Sequence, residues 1–239
     1  MIATAARSRQ ALRVTRAVSP NIAGHARRRS ATPTFQLSHV EYGKAQHVTL
    51  HRLTDTVLAM PRLTPITERD HVSEQDREAF DAIVQSRGRI NAPQSMLMYA
   101  PQISVRASAL NDALRELLSE ADFEVAVLSA AREFQIDFVW AAHVAAATRA
   151  GVRAETIETI RSRGELSGLG TRERTIIAIG RELVGEHQLS AELFDAGRRE
   201  LGERGLIEVL AAMGYYLMIV TVLIATDYEL PEGAERLPR

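Results

Sequence analysis

The 239-residue chain contains no cysteine. Disulfides, thiolate metal sites and cysteine nucleophiles are therefore excluded from its chemistry. Lysine is almost as scarce: Lys44 is the only one, which leaves residues beyond it without a Schiff-base nucleophile. Aromatic residues make up 5% and tryptophan occurs once, as Trp140, so each aromatic side chain in an apolar segment bears examination. HExxH, a phosphate-cradling glycine-rich loop and a GxSxG elbow are all absent, and no dense histidine and acid cluster stands in for them. Zinc, nucleotide and α/β-hydrolase chemistry thus lack sequence support, and the expectation is no metal and no cofactor. Period-two alternation and tight hairpin turns are also scarce, which predicts an all-α protein.

At 46% apolar and 25% charged, the composition is that of an ordinary globular chain. Charge is unevenly spread. Residues 1–59 hold nine basic residues against two acids, Glu41 and Asp55, while the remainder holds twenty against twenty-eight. The acidic body offers no footprint for nucleic acid, and the basic head matches no binding module. The expected organisation is a basic, largely disordered extension over residues 1–59, read either as a transit-type leader or as an over-long start before Met60, followed by a helical domain over 60–239.

Along that domain, Ser73 with Asp76 forms an approximate capping box before a helix carrying Phe80, Ile83 and Val84, and Gly88 stops it. Ile103, Leu110, Leu114, Leu117 and Leu118 mark an amphipathic helix after Pro101. Gly151 ends the central helix, Thr171 and Ser190 are expected caps, and His187 reads as a solvated helix-end imidazole. Val209 to Thr226 is free of formal charge for 18 residues. That length fits a membrane span, but Gly214, Tyr215 and Tyr216 at its centre favour a core or interface helix, so no membrane association is expected.

The chain is organised around FEVAVLSAAREFQIDFVWAAHVAAATRAGV, from Phe123 to Val152. Apolar residues fill nearly every turn and alanine is dense, which permits close approach of a second backbone or a ligand. On a continuous helix Arg132, Ile136, Val139 and His143 share one stripe, with Trp140 at its border. A bend between Glu133 and Ile136 would bring the Glu124 carboxylate towards the His143 imidazole. The two are then either an acid–base pair or members of a buried network. Arg132 is either a carboxylate clamp or one half of an ion pair with Asp122 or Glu133, and Trp140 either a flat pocket wall or core. Tyr99 is either a pocket contact or a packed side chain with its hydroxyl at the surface.

The spacing Glu124, eleven residues, Ile136, two residues, Val139, three residues, His143 resembles the signature of the carboxymuconolactone decarboxylase and alkyl hydroperoxidase D (AhpD-like) superfamily, whose redox members carry cysteine at both middle positions. MPRLTPI from Met60, LGERGLIEVLAAMGYY around Tyr215 and the terminal ELPEGAERLP resemble its longer, decarboxylase-like branch, so the likeness spans about three quarters of the chain. With Ile136 and Val139 in the cysteine positions, thiol-based peroxide reduction loses its chemistry. The resemblance implies an AhpD-like bundle of about seven to nine helices, a homo-oligomer (trimer or hexamer) and a cytoplasmic location. It also implies a cofactor-free decarboxylation or proton transfer on a small unsaturated or lactone-type carboxylic acid. Glu124 and His143 are then the catalytic candidates, and Arg132, Trp140, Tyr99, Ile136 and Val139 the substrate-binding ones. The alternative is a non-catalytic binding or assembly protein on the same fold.

Overall fold

The computed structural model describes residues 61–228, 230 and 232–239; the 1–59 extension lies outside them. Eight α-helices run in order: α1 Arg77–Arg87, α2 Ala92–Leu97, α3 Pro101–Leu117, α4 Glu120–Glu133, α5 Asp137–Arg149, α6 Ala154–Ser162, α7 Thr171–Gly180 and α8 Ala191–Ala225. The described residues contain no strand. The all-α expectation holds.

The central stretch is two helices, not one. Gln135 takes a φ of 55°, in the left-handed region, and breaks the chain between α4 and α5. At the end of α4 the Phe134 N–H donates to the Ala130 carbonyl and the Gln135 N–H to that of Arg132, and Ile136 stands as the extended residue before α5. This is the bend between Glu133 and Ile136 anticipated above. It turns α5 back along α4, and the two pack together.

α4 is the axis of the bundle. Every residue from Asp122 to Arg132 is buried, because α5, α6, α7 and α8 all pack on it. Small side chains let them come close. Opposite Ser129, Gly180 of α7 stands where a Cβ would lie 2.8 Å from the serine Cβ, a separation that packed side chains do not tolerate.

Other elements follow their sequence signals in part. Gly88 closes α1 at φ 75°, with its N–H on the Val84 carbonyl, and Gly151 takes φ 83° after α5. The Ser190 hydroxyl accepts from the Leu193 N–H and caps α8. Ser73 instead heads a 3-10 turn and bonds the Asp76 carboxylate, and Gly170, not Thr171, is the N-cap of α7. On α3 the inward stripe is Ser104, Ala107, Ser108, Asn111 and Leu114, while Ile103, Leu110 and Leu117 are exposed. Of the five apolar residues expected to mark the inward face, Leu114 and Leu118 are buried and the other three are not.

α8 is interrupted at Gly202, whose φ of 74° and ψ of 165° are not helical. Beyond the break it is long and apolar enough to cross a membrane by length and composition. Its Val209, Ala212, Met213, Tyr216, Ile219, Val220 and Leu223 are nevertheless buried, against α4 and α7 among others. One face of it therefore packs in the core, while Ile207, Met218 and Ile224 are exposed.

Gly180→Ala is expected to force α4 and α7 apart and cost about 1–3 kcal/mol. A drop in urea midpoint with unchanged slope checks this.

Candidate functional site

Glu124 is 2% exposed, and a carboxylate so deep must be neutralised or partnered. Both of its oxygens are engaged. Oε2 lies 2.7 Å from Nδ1 of His143 on α5, and Oε1 accepts from Nη1 of Arg115 on α3 at 3.2 Å. The sequence therefore places three neighbouring helices on one carboxylate. Because Nδ1 faces Glu124, Nε2 is the imidazole nitrogen left for a ligand.

Arg115 is held in turn. Its Nε donates to Asn111 Oδ1 at 3.2 Å, one helical turn back, and its guanidinium lies 4.2 Å over the Phe123 ring. The Asn111 amide donates to the Tyr216 hydroxyl at 3.3 Å. Tyr216 stands edge-on to the His143 ring with centroids 4.8 Å apart. Burial raises the pKa of the Tyr216 phenol. Tyr215 beside it is pushed up to about 12, first by burial and then by Tyr216. Both phenols are thus neutral donors at physiological pH.

These groups line a half-open cavity of about 490 Å³ between α3, α5, α8 and the α1–α2 region. Its wall carries Arg87, Arg89, Arg115 and His143, the polar side chains of Asn91, Gln94, Asn111, Tyr215 and Tyr216, and an apolar side of Ile90, Phe138, Val139, Ala142 and Ile219. No acid is part of the lining. Arg87 is anchored by α3, with Nε on the Ser108 hydroxyl at 2.5 Å and Nη2 on Asp112 at 2.8 Å. The volume suits a small ligand, and the charge suits an anion.

Of the residues singled out by sequence, His143 and Val139 line this cavity, and Glu124 stands behind it, bonded to His143. The other four are elsewhere. The shared stripe of Arg132 and His143 requires a continuous helix, and the break at Gln135 abolishes it. Arg132 is buried against α6, where its Nε donates to the Arg161 carbonyl at 2.6 Å and its Nη1 has no partner. Burial, then the nearby Arg163, lowers its pKa. Trp140 is wholly buried in the core. Ile136 packs on that core at the start of α5. Tyr99 is half exposed, with its hydroxyl on the Thr64 carbonyl at 2.9 Å. Sequence reasoning missed Arg115, Asn111, Arg87 and Arg89. The Asn111 and Arg115 pair, one turn apart on α3, was the available signal. Among the described residues no cluster of three or more histidine, aspartate or glutamate side chains could hold a metal ion.

Comparison with solved structures assigns the architecture. The debrominase Bmp8 in its apo form superposes with a TM-score of 0.56 at 18% identity, covering 71% of this chain and 91% of that one. Bmp8 with one cysteine replaced by alanine, in complex with 2,3,4-tribromopyrrole, gives 0.57 over the same shares of both chains, also at 18% identity. The fold is an AhpD-like helical bundle. No family model and no curated protein matches the sequence, and at 18% identity the likeness carries the architecture and not the reaction.

Two outcomes are expected. Glu124→Ala, which leaves an imidazole and a guanidinium without their shared partner, should cost roughly 3 kcal/mol or more, and Glu124→Gln less, as measured by chemical denaturation. Tyr215 is protonated in the fold up to about pH 12 but ionises near 10 when unfolded. Its contribution is therefore whole below pH 10 and is lost as pH rises from 10 towards 12. Tyr215→Phe should flatten that part of the alkaline stability profile.

Proposed function

We propose that the chain is an enzyme of the AhpD and carboxymuconolactone decarboxylase-like superfamily, acting without a cofactor on a small unsaturated or lactone-type carboxylic acid by decarboxylation or proton transfer. The observation that carries this reading is the buried Glu124–His143 pair, 2.7 Å apart, opening on a cavity whose charged lining is entirely basic. A substrate carboxylate is held by guanidinium groups at the wall, Arg115 or Arg89, in the role that the sequence had given to Arg132. When the bond to carbon dioxide breaks, its electron pair passes into the conjugated carbonyl. Protonated His143 then delivers its Nε2 proton to the carbon, and solvent restores it. Glu124 fixes the ring orientation and stabilises the imidazolium. Isomerisation of a similar acid uses the same proton transfers with no carbon lost.

The alternative is a binding or assembly protein on this fold that catalyses nothing. Thiol-based peroxide reduction is disfavoured because the sequence has no cysteine. Self-association is part of the proposal: Ile207, Met218 and Ile224 of α8 and Ile103, Leu110 and Leu117 of α3 are all exposed, an apolar surface that a second copy would cover.

Incubating the protein with unsaturated and lactone-type acids, following absorbance and carbon dioxide release, tests the reaction. His143→Ala should lose about 10²-fold or more of the rate; equal rates in wild type and variant refute catalysis by this pair. Light scattering should report an oligomer, and a monomer at high concentration refutes the assembly.

A further inference from the structure

The reaction proposed above uses the guanidinium groups of the cavity and the imidazole of His143. It leaves α2 without a task. Gln94 of that helix lines the cavity and is 3% exposed. Its backbone is fully engaged: the N–H donates to Asn91 Oδ1 at 3.2 Å, and the carbonyl accepts from the Met98 N–H at 2.8 Å. The side-chain amide differs, because its Oε1 is buried and has no hydrogen-bond partner. Buried acceptors are almost always paired in folded proteins, and an unpaired one works against folding. The other amide oxygens of the lining are taken. Asn111 Oδ1 receives Arg115 Nε at 3.2 Å, and Asn91 Oδ1 receives the Gln94 N–H. Arg87, Arg89 and Arg115 only donate, and no acid lines the cavity. Nothing in the protein holds the Gln94 oxygen in place, and the terminal torsion of a glutamine is soft. A modest turn of the amide therefore presents it to a group in the cavity.

We propose that Gln94 determines specificity: its amide oxygen accepts a hydrogen bond from a hydroxyl or N–H group of the bound acid, so the cavity selects acids that carry such a donor over those that do not. A ligand of this kind answers both features of the wall, its carboxylate meeting a guanidinium and its donor meeting the open acceptor. A plain unsaturated acid leaves the oxygen unpaired. Discrimination is strongest where a site's own buried polar group gains or lacks its partner, which is the situation of Gln94. The inference rests on the reading above for the cavity as the substrate site and for the carboxylate at its wall. What it adds is the second functional group of the substrate.

Calorimetric titration with benzoate, 3- and 4-hydroxybenzoate and 4-aminobenzoate tests this, because these acids share a ring and a carboxylate and differ in the donor. At least one of the three substituted acids should bind wild type about 10-fold or more tighter than benzoate, and which one does so tells hydroxyl from N–H recognition. Gln94→Met, close in shape but without the amide, should bring that ratio towards one. Gln188→Met, the same change at an exposed glutamine outside the cavity lining, should keep the wild-type ratio. Because the Gln94 oxygen bonds nothing in the protein, Gln94→Met should unfold no more easily than wild type. A marked fall in its unfolding midpoint assigns the amide to the fold and overturns the proposal. So does a wild type that prefers none of the substituted acids, or a Gln94→Met variant that keeps the preference. If the preference depends on Gln94 while no acid turns over, the specificity stands and the decarboxylation reading falls; if acids turn over through His143 without regard to Gln94, the specificity alone falls.

Discussion

A carboxylate sealed inside a helical bundle has to be satisfied from several directions, and Glu124 imposes that condition on the helices around it. It sits on α4, the one helix buried along nearly its whole length. Water is not available to solvate it, so α5 must present an imidazole and α3 a guanidinium at hydrogen-bond distance. Those two contacts set the positions of α3 and α5 relative to the axis. Between them and α8 lies the cavity, so the requirement that stabilises the carboxylate also shapes the space a ligand would enter.

The packing around α4 answers a second constraint. Gly180 and Ser129 on facing surfaces let α7 approach α4 closely, while aromatic side chains gather where α4, α5 and α8 meet. There Phe123, Tyr215, Tyr216 and His143 stack edge to face, the arrangement that aromatic quadrupoles favour. Polar atoms of these rings are linked through Asn111 to Arg115. The result is a wall whose donors are fixed by one another rather than by solvent.

How much of this could be read from sequence varied with the range of the interaction. Gly88, Gly151 and Ser190 act through the nearest turn, and their roles were legible. The pairing of Glu124 with His143 was legible because the spacing is short and a bend between them was the one geometric step needed. Arg132 failed for the converse reason: a helical-wheel argument presumes an unbroken helix, and Gln135, without the glycine that normally announces a left-handed residue, interrupts it. On α3 the spacing placed Leu114 and Leu118 correctly but not Ile103, Leu110 and Leu117, because most of the inward stripe there is polar or small, and Asn111 is held in it by bonding across 105 positions to Tyr216. Such contacts leave no local periodicity to detect.

The corner at Phe134 to Ile136 has one more implication. Glu124 and His143 are carried by separate helices, yet the peptide joining them is so short that it acts as a gear, not a hinge. One residue inserted or deleted there rotates α5 by about 100° about its axis, carrying the imidazole off the carboxylate and Trp140 out of the core together. The length of this corner therefore holds the reading frame of the site.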